Sequence, residues 1–321
     1  MPKVLVIGGA GYIGSHVVKE LLANSFDVTV LDNMSTGCKE NLFNEAEFIQ
    51  ADILDETALD RVLKQNIDAV IHLAAKKAVG ESMENPQKYS TNNLIGTINI
   101  LNAMLNNNVK HIVFSSSAAV YGIPQYLPLD ENHPINPMSF YGYTKAVIED
   151  LLDWYSKLKD FNYIALRYFN AVGYASDKSI TGKEKNPQNL LPIIMEAASG
   201  KRENFSIFGN DYDTPDGTCL RDYIHVSDLA SAHVLAVKKL ISDKKSYRIN
   251  LGTGQATSVK EIVDATEKII EKKLNYNYAP RRSGDPAVVL AKAELAEKVL
   301  KWKANYTNIS DIIKTTWNIE K

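Results

Sequence analysis

The chain is poor in cysteine, has no basic stretch and has no long apolar run, and each absence excludes a class of protein. Two cysteines, Cys38 and Cys219, cannot form a disulfide framework and fit the reduced thiols of a cytoplasmic protein. Lys and Arg total 36 against 38 Asp and Glu, so neither nucleic acid nor a membrane surface is an expected partner. The apolar run Val4–Ile7 stops at glycines, too soon for a signal peptide or a membrane span.

Short β-branched runs alternate with longer amphipathic stretches through the first half of the 321 residues. The predicted strands are Val4–Ile7, Val28–Leu31, Phe48–Gln50, Ala69–Leu73, His111–Ser115 and Tyr163–Arg167. The predicted helices are Ser15–Ala23, Thr57–Gln65, Asn92–Leu105 and Phe140–Leu158. This alternation predicts an α/β fold, a doubly wound parallel sheet with helices on both faces.

After about Asn170 the alternation loosens. Residues 173–189 and 209–217 are typical of loops, and helical patterns recur at 190–198, 228–240, 259–271, 293–300 and 309–317. We therefore predict a nucleotide-binding domain over residues 1–170 and a smaller mixed α/β substrate lobe over 171–321. Some of its segments are expected to return to the first domain, and the lobe to cover the edge where open α/β sheets bind ligands.

The first strand runs directly into a glycine-rich turn. Gly8, Gly11 and Gly14 lie three residues apart between that strand and a helix, which is the context of a Rossmann dinucleotide site. Glycine lets backbone N–H groups approach a pyrophosphate at the helix N-terminus. Asp32 ends the second strand, where a carboxylate accepts hydrogen bonds from ribose hydroxyls and repels the 2′-phosphate of NADP. The pattern predicts NAD as the cofactor.

A tyrosine four residues before a lysine shares a helix face with it, and the ammonium can lower the pKa of the phenol. The spacing occurs three times, at Tyr141/Lys145, Tyr155/Lys159 and Tyr174/Lys178. Only the first pair begins the helix that follows the strand ending in Ser115-Ser116-Ser117, so we select Tyr141 and Lys145 as catalytic. No histidine pair has metal-ligand spacing, and no metal site is predicted.

These residues resemble the extended short-chain dehydrogenase/reductase family, most closely its UDP-galactose 4-epimerase branch. The resemblance runs nearly end to end, and the segments that carry it are GGAGYIGSH (8–16), LDNMSTG (31–37), KAVGES (77–82), SSSAAVYG (115–122), YGYTK (141–145), RYFNAVG (167–173), RDYIHVSDLA (221–230) and APRRSGDPA (279–287).

The resemblance implies a UDP-hexose 4-epimerase that interconverts UDP-glucose and UDP-galactose through a 4-keto sugar. Tyr141 would take the proton of the 4-hydroxyl while hydride leaves C4 for NAD. Lys145 would keep Tyr141 ionised, and Ser117 would bind the 4-oxygen. Hydride would return to the other face after the sugar turns over.

The resemblance also implies two sets of binding residues. Those lining NAD would be Gly8, Gly11, Tyr12, Ile13, Gly14, Asp32, Asn33, Asp52, Ile53, Leu73, Ala74, Ala75, Lys77, Asn92, Ser115, Tyr141, Lys145 and Tyr168. Those holding the UDP-hexose would be Ser117, Tyr141, Asn170, Asn189, Phe208, Arg221, Arg282 and Asp285. Two arginines suit a diphosphate because each offers forked, permanently charged donors. The alternative interpretation of Arg282 is an ordinary surface charge. The alternative interpretation of Asp228 is the N-cap of a helix.

Two other functions remain open. Dehydratases and decarboxylases of the family carry an acidic residue where this chain has Ala118-Ala119, which cannot transfer protons. A silent NAD-sensing module usually loses the tyrosine or the lysine, and this chain keeps both. Thr181-Gly182-Lys183 departs from the usual Ile-Gly-Glu near the substrate loop.

The resemblance leaves the acceptance of N-acetylated sugars open. It also implies a homodimer, formed by a four-helix bundle of the helices at 92–105 and 140–158.

Overall fold

Strands and helices alternate through the first half of the chain, as the apolar periodicity predicts. The computed structural model describes residues 1–184, 187–282 and 284–321. The strands are β1 (Lys3–Ile7), β2 (Asp27–Asp32), β3 (Glu47–Gln50), β4 (Ala69–His72), β5 (His111–Ser117), β6 (Asn162–Tyr168), β7 (Asn170–Val172), β8 (Phe205–Phe208), β9 (Leu220–His225), β10 (Tyr247–Leu251), β11 (Ala256–Ser258), β12 (Tyr276–Ala279) and β13 (Val288–Val289).

The helices lie between these strands and after them. They are α1 (Tyr12–Ala23), α2 (Glu56–Leu63), α3 (Val79–Glu84), α4 (Pro86–Tyr89), α5 (Gly96–Asn106), α6 (Phe140–Lys159), α7 (Leu190–Ala198), α8 (Val226–Asp243), α9 (Val259–Ile270), α10 (Glu294–Leu300) and α11 (Ile309–Glu320). Short 3-10 turns cover Lys39–Asn41 and Ala118–Val120, and a π-helix covers Ser90–Ile95. None of the helices in the described ranges is long and apolar enough to span a bilayer.

A seven-stranded parallel sheet forms the centre, in the order β10-β6-β5-β4-β1-β2-β3. Alternate residues of the strands enter two different cores. One core packs against α1, α8 and α10, and the other against α2, α5 and α6. A parallel sheet covered by helices on both faces confirms the predicted fold class. The strand order reverses between β1 and β4, which is where such sheets bind ligands.

The second half adds two small sheets and a third core. Strand β9 pairs with β7, β11 and β13, and β8 pairs with β12. Helices α7, α9 and α11 pack over them. None of β7 to β13 was predicted, because most of them show no clear alternation of apolar and polar residues. Among them β10 is the seventh strand of the central sheet, and α8 packs beside α1. The division at residue 170 stays a prediction.

Three local expectations were wrong in detail. The predicted helix at 92–105 begins as the π-helix and becomes α-helical only at Gly96. Strand β5 continues two residues past Ser115, since Ser116 and Ser117 still pair with β6. Asp228 does not cap α8: that helix is capped by His225, and the Asp228 carboxylate accepts the backbone N–H groups of Asn305 and Tyr306.

Candidate active site

The glycine-rich turn joins β1 to α1 at the switch point of the sheet. Gly8 has a φ of +88°, a conformation that favours glycine. A Cβ on Gly14 would lie 2.1 Å from the Gly8 carbonyl oxygen, so backbone packs against backbone here. Helix α1 begins after Gly11 with no side-chain cap, which leaves its first N–H groups for a ligand. The turn therefore fits the pyrophosphate of a dinucleotide.

The Asp32 carboxylate lies at the end of β2 beside this turn and is almost fully buried. Its two oxygens accept the backbone N–H groups of Ala10 at 3.0 Å and Met34 at 2.8 Å. Burial raises the pKa of Asp32, and these two bonds oppose the shift. Each oxygen keeps a further lone pair, so the carboxylate fits a ribose diol.

The other residues expected at the cofactor lie along the same edge of the sheet. Asn33 follows β2 and Asp52 follows β3, and the Asn33 amide donates to the Asp52 carboxylate at 2.7 Å. Ile53, the next residue, is buried. Leu73 and Ala74 leave β4 with their N–H groups bonded to the Ile7 carbonyl. Tyr12 and Ile13 open α1, Ala75 and Lys77 follow β4, and Asn92 lies in the π-helix. Ser115 lies two residues before the end of β5, and Tyr168 ends β6.

Tyr141 and Lys145 lie in the first two turns of α6, against the end of β5. The helix starts at this point because Ser139 caps the N–H of Gly142, and Ser82 accepts the N–H of Tyr141 at 3.1 Å. The Tyr141 phenol is hydrogen-bonded to the side chain of Ser117. Lys145 Nζ donates to the Ser115 carbonyl at 2.6 Å and lies 5.7 Å from the centre of the Tyr141 ring.

The expected electrostatic effect of Lys145 on Tyr141 is not found in this arrangement. Burial raises the pKa of Tyr141, and only the Ser117 hydrogen bond opposes this shift. Burial also lowers the pKa of Lys145 to about 7. The reason is geometric, since the Lys145 ammonium is directed to a carbonyl of β5 rather than to the phenol oxygen. At neutral pH the Tyr141 phenol is therefore protonated, and Lys145 is close to half-protonated.

The other two tyrosine–lysine pairs lie elsewhere. The Tyr155 hydroxyl donates to Asn102 on α5, and its ring packs against Phe161. Tyr174 is buried against Tyr12, and Lys178 lies in a turn with a φ of +60°.

The residues expected to hold the substrate surround β9 and the β8–β12 pair. Arg221 on β9 forms an ion pair with Asp285. The Arg282 guanidinium carbon lies 4.1 Å from the centre of the Phe208 ring. Asn170 donates to the Asp222 carbonyl at 3.1 Å, and Asn189 precedes α7. Arg282 is exposed apart from its contact with Phe208, so both a surface charge and a phosphate ligand fit its position.

Asn93 is a site residue that sequence reasoning missed. Its amide group binds both the N–H and the carbonyl of Lys76 and donates to the Thr144 hydroxyl. This fixes the loop after β4 to the turn of α6 that follows Tyr141. No motif marks it, because its partners are distant in the sequence.

Residues 173–184, which we call the strap, run from β7 across α1 and the predicted cofactor cleft. The Tyr12 hydroxyl donates to the Gly173 carbonyl, and the N–H of Gly182 donates to the Asn41 side chain at 2.9 Å. At its end Glu184 forms an ion pair with Lys77 at 2.9 Å. Thr181-Gly182-Lys183, the departure noted in the sequence, lies within this strap, where Lys183 pairs with Glu320 at 2.9 Å.

The fold and the side chains at its switch point are those of a dinucleotide-dependent enzyme, and comparisons with known proteins identify the family. Residues 4–252 match the NAD dependent epimerase/dehydratase family. The chain is 46% identical over 321 residues to the UDP-glucose 4-epimerase of Lactobacillus helveticus, covering 99% of this chain and 97% of that protein. The chain belongs to the NAD-dependent epimerase/dehydratase family.

Solved structures agree with the sequence match. The UDP-glucose 4-epimerase of Brucella ovis in complex with NAD superposes with a TM-score of 0.96 at 41% identity, over 99% of this chain and 98% of that chain. The enzyme of Bifidobacterium longum in complex with NAD+ and UDP superposes with a TM-score of 0.94 at 40% identity, over 99% and 98%.

Proposed function

We propose that the protein interconverts UDP-glucose and UDP-galactose with bound NAD. The observation that carries the proposal is the meeting of Tyr141, Lys145 and Ser117 at the end of β5. They lie on the same edge of the sheet as the glycine turn, two strands away. The similarity to UDP-glucose 4-epimerases over nearly the whole chain supports it.

In this reaction Tyr141 accepts the proton of the sugar's 4-hydroxyl and later returns it to the 4-oxygen. Ser117 binds that oxygen, and Lys145 supplies the positive charge that a buried phenolate requires. When bound, NAD supplies the acceptor for the C4 hydride and the donor that returns it to the opposite face. The 4-keto sugar turns over between these two steps.

Turnover of the sugar requires that the nucleotide stay fixed. We assign this role to Arg221 and Arg282 for the diphosphate, and to Phe208, Asn170, Asn189 and Asp285 around them. The Arg221–Asp285 pair is partly buried, so Asp285 also holds the guanidinium in a defined orientation.

The position of Ala119 argues against dehydration and decarboxylation. A Cβ on Gly142 would lie 2.5 Å from the Ala119 carbonyl, so this turn abuts the start of α6 beside Tyr141. An acidic side chain at 118 or 119 would serve as a second proton donor, and this chain has methyl groups there.

The decisive experiment incubates the purified protein with UDP-galactose and separates the products by chromatography. UDP-glucose is the expected product, and NAD is the expected nucleotide released on denaturation. A deoxy-keto sugar or a pentose would assign the chain to another reaction of the family, and no product would contradict the proposal. UDP-N-acetylglucosamine in the same assay tests the N-acetylated pair.

The homodimer stays a prediction, and the outer face of α6 supports it. Tyr143, Trp154 and Leu158 lie on one stripe of this helix and are 50%, 59% and 67% exposed, and Ile95 on the neighbouring π-helix is 49% exposed. Apolar patches of this kind commonly mark protein interfaces. The cytoplasmic location also stays a prediction, which rests on cysteine usage.

Replacing Trp154 with lysine is expected to convert a dimer to a monomer, because it places a charge in the centre of this stripe. Light scattering measures the change as a halving of mass. Phe48→Lys on β3, the edge strand at the other end of the central sheet, is the matched control and should leave the mass unchanged. A wild-type protein of single-chain mass would refute the dimer.

The strap predicts how firmly the cofactor is retained. Glu184→Gln removes the ion pair with Lys77, which is partly exposed and worth about 1 kcal/mol at most. We therefore expect bound NAD to dissociate roughly 2- to 5-fold faster, measured by nucleotide lost during gel filtration. The control is Glu294→Gln at the start of α10, which breaks the exposed ion pair between Glu294 and Lys292. Equal retention in both variants would show that the strap does not hold the cofactor.

A further inference from the structure

Glu149 lies one helical turn beyond Lys145 on α6, and both side chains are only 2% exposed. The Glu149 carboxylate is fully engaged. Its Oε1 accepts the Ser116 hydroxyl at 2.6 Å and Arg167 Nε at 2.9 Å, and its Oε2 accepts Arg167 Nη2 at 2.6 Å. A buried carboxylate held by a forked guanidinium fixes the elements that carry the two groups.

Ser116 is the reason that this carboxylate matters to the active site. It stands in β5 between Ser115, whose carbonyl accepts Lys145 Nζ, and Ser117, whose side chain binds the Tyr141 phenol. The Ser116–Glu149 bond therefore joins α6 to β5 at the centre of the two contacts that the catalytic side chains make. Arg167 extends the connection to β6, next to Tyr168.

The charges around Lys145 also single out Glu149. Burial lowers the pKa of Lys145, and Glu149 opposes that shift. His72 on β4 is uncharged at neutral pH because burial lowers its pKa to about 3. Tyr141 and Tyr168 are uncharged because burial raises their pKa values.

Charged groups also face Glu149 from other elements. Arg167 on β6 and Arg248 on β10 pair with its carboxylate. Asp150 and Asp153 on α6 pair with Arg248, the Tyr163 hydroxyl binds Asp153, and the Tyr121 hydroxyl accepts from Arg167.

We propose that Glu149 is a positioning residue of the epimerase reaction, which holds the 115–117 end of β5 against α6 and places a negative charge next to Lys145. The inference rests on the proposed function for its kinetic consequences. The contacts of Glu149 with Ser116 and Arg167 do not depend on the proposed function.

The first test is Glu149→Gln, which removes the negative charge and keeps the size. The pKa of Lys145 is expected to fall further below its usual value, so the ammonium is lost at a lower pH. The alkaline limb of kcat should therefore move to lower pH by about half a unit or more. At pH 8 we expect kcat to fall at least about threefold, the factor that half a pH unit gives, while KM changes little. Glu149→Asp, which keeps the negative charge, should return the alkaline limb of kcat part of the way to its wild-type pH.

Ser116→Ala separates position from charge, because it breaks the bond to β5 and leaves the Glu149–Arg167 pair intact. Its kcat should fall with the alkaline limb unmoved. It also keeps the proposal testable if Glu149→Gln fails to fold, since that variant deprives the buried Arg167 guanidinium of the carboxylate it pairs with. Asp153→Asn, one further turn along α6 and bonded to Arg248 and Tyr163, is the matched control and should retain wild-type kcat.

Lysine NMR distinguishes failure of this inference from failure of the proposed function. The Lys145 signal, identified by its loss in Lys145→Met, should titrate at lower pH in Glu149→Gln even if the wild type proves inactive on UDP-galactose. Melting temperature measures the structural effect alone. Wild-type kcat in Ser116→Ala, or an unmoved Lys145 titration in folded Glu149→Gln, would overturn the proposal.

Discussion

Replacing Tyr141 with phenylalanine is expected to lower kcat by about 10³-fold, because proton transfer by a positioned side chain contributes roughly 10²- to 10⁴-fold. The ring keeps its place in the first turn of α6, and only the oxygen that binds Ser117 is lost. Binding of NAD and of UDP should change little. The loss should therefore appear in kcat, measured as UDP-glucose formed from UDP-galactose, with KM nearly constant.

Tyr155→Phe is the matched control for this variant. Tyr155 lies on the same helix, also four residues before a lysine, and its hydroxyl donates to Asn102 rather than into the active site. Its removal should leave kcat unchanged. Full activity in Tyr141→Phe, or equal losses in the two variants, would show that the tyrosine–lysine spacing does not identify the proton acceptor.

Six of the seven strands of the central sheet were predictable from the sequence, and all of these but β3 are largely buried. Residues Val4–Ile7 and Ala69–His72 are each almost wholly apolar and fully buried, and long amphipathic helices separate them. Strands of the second half carry no such signal. In β9, the two consecutive polar residues Arg221 and Asp222 interrupt any alternation of apolar and polar residues. Each binds a partner more than thirty residues away in the sequence.

The residues of the candidate site also fall into two groups, those that the sequence predicts and those that only the structure shows. Gly8, Asp32 and Tyr141 were predictable because their neighbours in the sequence define their geometry. Glu149 and Asn93 were not, since a buried carboxylate on an amphipathic helix has the same sequence pattern as an exposed one. Only the structure shows that Arg167, eighteen residues away, meets it. The predicted effect of Lys145 on the pKa of Tyr141 is absent for a related reason, because helical spacing gives proximity and not the direction of the ammonium.

Replacing Gly14 with alanine is expected to abolish retention of NAD. A Cβ at this position would lie 2.1 Å from the Gly8 carbonyl oxygen and 2.8 Å from the Gly9 Cα, so backbone atoms of the turn itself would have to move. Overpacking of this kind costs typically 1–3 kcal/mol and more where backbone is displaced. We expect the dissociation constant of NAD to rise about 100-fold or more, measured by titration of NAD-free protein.

Gly80→Ala provides the control for this loss. Gly80 lies on α3, is exposed and has no atom within 4 Å of an added Cβ, so alanine there should leave NAD binding unchanged. The melting temperature of the NAD-free Gly14→Ala protein separates loss of the site from loss of the fold. NAD affinity equal to that of Gly80→Ala would mean that the turn does not set the approach of the pyrophosphate. The close packing of Gly14 on Gly8 would then serve only to join α1 to the sheet.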